Sequence, residues 1–269
     1  MKKILFPTDC SAGSRSAFAF AVALAQQTGA HIDIMSVYHL PAADASSVPP
    51  AYIDNMIEER RRQVLDNMDS MIKAYPGAPV QGIRADYGVF THQEIVDVAA
   101  DGQYDLIVMG THGVNNALDR LLGSVTTQTV MQAPCPVLAI PPEASWHGIR
   151  NIAYATDFHP ADEQAVSGLR AIADVLGARL HLIHIQTRDG DMDLEEVSRP
   201  EYYLPAFAEF AILHHSSVME GLEKYLKEKE IDVLTLFIPR RRIWERLFHT
   251  SFSKKMMFHT QIPLLSFRA

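Results

Sequence analysis

The sequence predicts an α/β fold built twice: two tandem doubly wound domains, each a five-stranded parallel sheet flanked by helices. Three observations carry this. Short apolar runs alternate with segments of helical periodicity, the pattern of βαβ units. The order of elements recurs along the chain: Ile4-Leu-Phe-Pro-Thr-Asp9 matches Ile152-Ala-Tyr-Ala-Thr-Asp157, and Gly29-Ala-His-Ile-Asp-Ile34 matches Gly177-Ala-Arg-Leu-His-Leu182, both at an offset of 148. Finally, 269 residues are enough for two domains of ordinary size, each with its own core.

In the first copy, Lys3 to Pro7 reads as a strand. A helix is expected over about Ser11–Gln27, with Ala17, Phe20, Ala21, Leu24 and Ala25 at helical spacing and Gly29 as its stop. His31–Tyr38 is the second strand. Residues 39–50, with three prolines, form a loop, and a long helix follows over about Ala51–Ala74. Its core stripe is Ile53, Met56, Ile57, Val64, Met68, Met71 and Ile72. Arg60-Arg61-Arg62 inside it reads as a solvated face rather than an anion site. Val80–Ala85 is a third strand, Gln93–Ala100 a helix, Leu106–Met109 the fourth strand, Thr126–Gln132 helix-compatible, and Val137–Ile140 the fifth strand.

The second copy continues the match. Asp105-Leu-Ile-Val matches Asp232-Val-Leu-Thr at an offset of 127, so this copy is shorter by 148 − 127 = 21 residues in its middle. Cys135-Pro-Val-Leu-Ala-Ile140 matches Ile262-Pro-Leu-Leu-Ser-Phe267. The expected domains are 1–142 and 149–269, with a short linker at about Pro141–Gly148.

Composition excludes several classes. No apolar run approaches the ~18 residues of a membrane helix, and with Pro7 and Asp9 close to the start no signal peptide is expected there. Cys10 and Cys135 are too few and too separated for a disulfide framework, so reduced thiols in a cytoplasmic protein are expected. Net charge is −8. Residues 1–145 hold 9 basic and 15 acidic residues (−6), and residues 146–269 hold 15 and 17 (−2), so neither half is a basic nucleic-acid module. There is no spaced Cys/His metal motif: His181 and His184, three apart on a strand, point to opposite faces. Neither Gly-x-Ser-x-Gly nor a P-loop occurs, and no general base sits at a fixed offset to aim a water, so an enzyme is not the favoured reading.

The most specific motif spans 110–124, Gly-Thr-His-Gly-Val-Asn-Asn-Ala-Leu-Asp-Arg-Leu-Leu-Gly-Ser. Two residues separate Gly110 from Gly113, and nine separate Gly113 from Gly123-Ser124. A strand ending in a small-residue loop lets backbone amides approach phosphates, and a following helix N-terminus adds its dipole.

This motif resembles the nucleotide-binding signature of the universal stress protein family, and Lys2-Lys-Ile-Leu-Phe-Pro-Thr-Asp9 resembles that family's first strand and Asp-bearing loop. Because the chain holds two copies, it is identified as a tandem two-domain member. The resemblance implies strand order 3-2-1-4-5 and a ligand at the crevice between strands one and four, where strand order reverses. It implies ATP as the ligand, with Mg²⁺ as an optional companion. Pro7, Thr8 and Asp9 would line the adenosine end, Val37 would offer backbone groups to adenine, and Met109 and Gly110 would lie under the ribose. His112 and Gly113 would start the phosphate loop, and Gly123, Ser124, Val125 and Thr126 would supply N–H and hydroxyl donors. Asp9 can alternatively cap the Ser11 turn, and His112 can be a neutral loop histidine. Gly88 reads as a turn glycine and Cys10 as a packed thiol.

Copy two departs where the chemistry sits. Phe237 stands at the counterpart of Gly110, Arg240 at that of Gly113, and His215 at that of Gly88, while Asp157 and Ser251 remain. Nucleotide binding in the family manner is therefore not expected there. Arg240, Arg241, Arg242, Lys254 and Lys255 read as a charged surface loop or as an anion or acidic-partner site. The resemblance also implies pairing of the two copies through their last strands as an intramolecular pseudo-dimer, with a homodimer of chains as a further step. The expected role is a nucleotide-dependent sensor or scaffold in the stress response. Its rivals are a nucleotide-independent interaction protein and a weak ATPase.

Overall fold

The computed structural model describes residues 1–40, 50–111, 123–156, 158, 162–187, 207–238 and 261–268. The chain divides into two units, Met1–Trp146 and His147–Ala269.

Unit 1 runs β1 (Lys3–Pro7), α1 (Ala12–Thr28), β2 (His31–Tyr38), α2 (Pro50–Lys73), β3 (Val80–Tyr87), α3 (Thr91–Asp101), β4 (Leu106–Gly110), α4 (Ser124–Gln132) and β5 (Val137–Ile140). Its strands are all parallel in the order β3-β2-β1-β4-β5, the doubly wound order expected. β1 is central. Ile4 pairs with Ile32 on one side and Leu106 on the other, and Ile4, Leu5 and Phe6 are fully buried. A strand covered on both faces needs apolar residues at consecutive positions, which is why this one reads as a continuous run. β3 extends two residues beyond the expected Ala85, to Tyr87.

Helix boundaries follow local chemistry. Ser11, in extended geometry, accepts the Ser14 amide and caps α1. At the other end Gly29 adopts φ 68° and donates to the Ala25 carbonyl, a left-handed stop that glycine makes without steric cost. Val64, Met68 and Met71 of α2 are buried at i, i+4, i+7 spacing. The first half of the expected stripe, Ile53, Met56 and Ile57, is only partly covered. Arg61 and Arg62 both pair with Glu58 on the solvent side.

Unit 2 runs β6 (Asn151–Ala155), α5 (Asp162–Leu176), β7 (Arg179–Gln186), β8 (Glu209–His214), α6 (Val218–Glu228), β9 (Val233–Ile238) and β10 (Leu264–Arg268). These strands are parallel in the order β10-β9-β6-β7-β8, the same connectivity as unit 1. The likeness reaches single bonds. The Asp105 carboxylate accepts the amides of Lys2 and Lys3 at 2.6 and 3.0 Å, and the Asp232 carboxylate accepts those of Arg150 and Asn151 at 2.7 and 2.9 Å. Thr8 N donates to Met35 O and Thr156 N to Ile183 O. Gly29 and Gly177 share left-handed φ of 68° and 66°. Cys10 and Phe158 both have φ 58°, each with its amide on the threonine hydroxyl two residues earlier. Among the described residues, no helix is long and apolar enough to cross a membrane.

Candidate functional site

At the carboxyl ends of β1, β2 and β4, unit 1 encloses a cavity of about 600 Å³, within the ~300–1,000 Å³ typical of small-molecule sites. Of the residues singled out from the sequence, Pro7, Thr8, Asp9, Val37, Met109, Gly110, Gly123, Ser124, Val125 and Thr126 all lie in its wall. His112 and Gly113 fall outside the described residues.

The loop after β1 is held from both ends. The Thr8 amide donates to the Met35 carbonyl of β2. The Thr8 hydroxyl lies 2.7 Å from the Ser14 hydroxyl and accepts the Cys10 amide at 3.0 Å. Asp9 is exposed at the cavity and accepts the Ser11 amide through Oδ1 at 3.0 Å. Ser11, not Asp9, is the helix cap, so Asp9 shapes the turn that leads into α1. Cys10 holds a left-handed φ that non-glycine residues rarely adopt. Burial pushes its thiol above the ordinary range, although the Thr8 hydroxyl and Arg15 pull it back in part. That environment is a packed thiol rather than an activated one.

The opposite wall is the start of α4. Gly123 donates to Thr111 O at 2.7 Å and holds the N-cap position, with no side-chain capping bond. Helix geometry leaves the amides of Ser124, Val125 and Thr126 without intrahelical acceptors, and they carry the positive end of the helix dipole. The Thr126 side chain does something other than the sequence implied: its hydroxyl donates to the Gly110 carbonyl at 3.0 Å and is buried. Ser124, which is exposed, is left as the hydroxyl donor of this turn. Gly110 borders the cavity as well. A Cβ built on it would sit 3.4 Å from the Gly13 carbonyl oxygen and 3.7 Å from Ala17 Cβ, so its open side faces α1.

Further walls were not legible in the sequence. Tyr38, His39 and Leu40 close the β2 side, Thr91 and Ile95 come from α3, and Arg60, Val64 and Asn67 from α2. His39 is fixed by two contacts: Nδ1 meets the Gly88 carbonyl, and Nε2 lies 3.0 Å from the Thr91 hydroxyl. Because a carbonyl only accepts, Nδ1 donates to Gly88. Gly88, read from the sequence as a turn glycine, instead carries the β2–β3 pairing one residue past β3, its amide donating to Tyr38 O. The arginine run is a solvated face as expected, with Arg60, Arg61 and Arg62 all exposed. Arg60 in addition borders the cavity, with its guanidinium on Gln63 Oε1 at 3.2 Å. The i, i+4, i+7 spacing of Arg60, Val64 and Asn67 is the signal that places them on one helix face. The cavity therefore combines an apolar floor, a carboxylate at one side, and helix-end amides and a guanidinium as positive groups.

A model of the Universal stress protein family matches residues 1–141 of the 269. The chain belongs to the universal stress protein family. It is 30% identical over 150 residues to universal stress protein MJ0531 of Methanocaldococcus jannaschii, covering 52% of this chain and 81% of that protein. It is 32% identical over 143 residues to Universal stress protein A homolog 1 of Coxiella burnetii, covering 52% of this chain and 95% of the relative. The crystal structure of a universal stress protein from Archaeoglobus fulgidus superposes with a TM-score of 0.74 at 20% identity, covering 99% of this chain and 98% of the other. That last likeness is one of fold, and it extends over far more of the chain than the family match does.

In unit 2 the residues at the equivalent positions differ. Phe237 lies in β9 where Gly110 ends β4. Phe158 takes the place of Cys10, its ring 5.0 Å from His184 and stacked at 6.0 Å on Phe210. Asp157, Arg240–Arg242, Ser251, Lys254 and Lys255 lie outside the described residues. Among the described residues, no cluster of His, Cys, Asp or Glu is arranged to hold a metal ion.

Proposed function

We propose that this universal stress protein is a tandem member that binds ATP in its first unit and acts as a nucleotide-dependent sensor or scaffold in stress adaptation. The observation that carries the reading is the convergence of the Asp9 loop, the end of β4 and the open N-terminus of α4 on one cavity of about 600 Å³. The donor set fits the ligand. Asp9, with Pro7 and Thr8, suits the hydrogen-bonding edge of an adenosine, and Val37 and Met109 suit its apolar faces. The amides of Gly123, Ser124, Val125 and Thr126 suit phosphate oxygens, with His112 and Gly113 completing the loop. Arg60 adds a cation that counters phosphate charge, whether or not Mg²⁺ accompanies the nucleotide.

The second unit is proposed to have lost nucleotide binding. Phe237 adds a ring where Gly110 has none, and the aromatic cluster of Phe158, His184 and Phe210 lies beside the corresponding loop. Bound nucleotide in unit 1 would alter a surface that partner proteins read.

Titration calorimetry of the full chain with ATP tests this. One nucleotide per chain is expected, lost in the Gly110→Val/Gly123→Val double variant. No binding would favour a nucleotide-independent interaction protein. Two per chain would overturn the reading of unit 2. Turnover of bound ATP that Asp9→Ala abolishes would make the protein a weak ATPase.

A further inference from the structure

We propose that the outer edge of β3 pairs antiparallel with β3 of a second copy of this chain, in the register that sets Arg84 opposite Asp86 of the partner subunit. β3 is the last strand of the unit 1 sheet, and among the described residues it pairs with β2 alone. Residues of a parallel strand alternate in turning their amide and carbonyl to one neighbour or the other. The Gly88 amide bonds the Tyr38 carbonyl of β2. The register shifts between Ile32↔Val80 and Asp33↔Gly82 and is unbroken from there to Tyr38↔Tyr87. Arg84 and Asp86 therefore turn their backbone groups inward, and Ile83, Ala85 and Tyr87 turn theirs outward.

Exposed strand edges are ordinarily blunted by lysine, proline or inward charges. Beside the charged Arg84 and Asp86, this edge also exposes large apolar residues. Ile83 is 45% exposed and Tyr87 49%, and the chain continues into Val89 at 71% and Phe90 at 65%. Four of the six exposed large apolar residues described lie in this stretch, so apolar exposure is concentrated at this end of unit 1.

Charge selects both the partner and the register. An antiparallel pairing through the outward residues is two-fold symmetric about Arg84, Ala85 or Asp86 in its central registers. The first sets arginine against arginine and the last sets aspartate against aspartate. Only the register about Ala85 sets Arg84 opposite Asp86, and it does so twice. These fall at non-hydrogen-bonded pairs, whose Cα atoms approach to about 4.5 Å. The same register sets Ile83 opposite Tyr87 twice, a favourable β-branched–aromatic pair. Within one chain Arg84 already grips Asp86, Nε to Oδ2 at 2.6 Å and Nη2 to Oδ1 at 3.1 Å. Across the two-fold, two such pairs form an alternating square of cations and anions. The strand is its own complement, which is what an isologous interface requires.

The test is sedimentation velocity on the full chain over a concentration series. Arg84→Asp makes these positions wholly acidic and Asp86→Arg makes them wholly basic. Wild type is expected to dimerise reversibly, and each variant alone to dissociate at least about tenfold more readily. An equimolar mixture of the two variants is expected to recover wild-type affinity, because an acidic edge then meets a basic one. Ile83→Lys, at an exposed position, is expected to abolish the dimer without altering the melting of the monomer. The proposal is overturned if wild type stays monomeric up to roughly 100 µM, if the single variants dimerise like wild type, or if the mixture stays as weak as its components.

Discussion

Adding one methyl group at Gly110 tests which way that glycine's open side faces. The new Cβ would meet the Gly13 carbonyl oxygen at 3.4 Å, the Gly13 carbonyl carbon at 3.6 Å and Ala17 Cβ at 3.7 Å, all ordinary contacts. Gly110 is not among the glycines with a left-handed backbone. Gly110→Ala then gains about 0.4–1 kcal/mol from the stiffer unfolded chain. The close approach to Gly13 offsets part of that, so net stability stays within about 1 kcal/mol of wild type. Gly110→Val reaches about 1.5 Å further along each branch, into the first turn of α1, and overpacking costs about 1–3 kcal/mol. At ~2–4 °C per kcal/mol for a unit of this size, its melting temperature falls by roughly 2–12 °C. Gly110→Phe, which copies the residue of unit 2, falls further. Calorimetric melting and ATP titration of the three variants separate the terms. Gly110→Ala is expected to keep ATP affinity within about threefold, whereas Gly110→Phe loses it. If Gly110→Ala melts like wild type yet binds ATP more than about thirtyfold more weakly, the missing side chain faces the ligand and the packing argument is wrong.

Two further outcomes follow from the same structure. Thr126→Val leaves the Gly110 carbonyl without its donor and lowers stability by about 1–3 kcal/mol, while Ser124→Ala leaves melting unchanged and weakens ATP binding by about three- to tenfold. Equal effects of the two on melting would sink the distinction between their hydroxyls. Burial raises the Asp105 carboxyl, but the amides of Lys2 and Lys3 and the N-terminal ammonium outweigh it and hold the group below its ordinary value. With the folded value below the unfolded ~3.9, its stabilisation is present above that pH and is lost as pH falls through the folded value. Asp105→Asn should therefore melt below wild type at neutral pH, with the gap closing under about pH 4. A gap independent of pH would contradict the charge-based tether.

Much of the fold was legible because its determinants are local. The apolar run Ile4–Phe6 marks a strand buried on both faces, and Ser11 and Gly29 mark the ends of α1 through capping that needs no distant contact. The repeat located β6, β7, β9 and β10 from β1, β2, β4 and β5. Parts of the site were legible for the same reason. A glycine-rich loop that follows one strand, and an aspartate that follows another, sit at strand carboxyl ends wherever the strands lie.

What the residues could not disclose is what faces what. Arg60 and Arg61 are neighbours of one type on one helix, yet one pairs with Glu58 toward solvent and the other reaches the cavity. Their difference is a rotation of about 100° about the helix axis, and it acquires meaning only once α2 is docked over β2 and β3. Thr126 and Ser124 are likewise interchangeable as hydroxyl donors until β4 brings the Gly110 carbonyl to one of them. Periodicity, caps and glycines act over a few residues, which is why the strands and helices of unit 1, the matching strands of unit 2 and the loops at strand carboxyl ends could be read directly. Which walls close the cavity, that Gly110 makes room for α1, and that β3 pairs with β2 alone among the described residues are set by packing between distant segments. Those depend on contacts between segments far apart in the chain, which crossover connections create and local pattern does not encode.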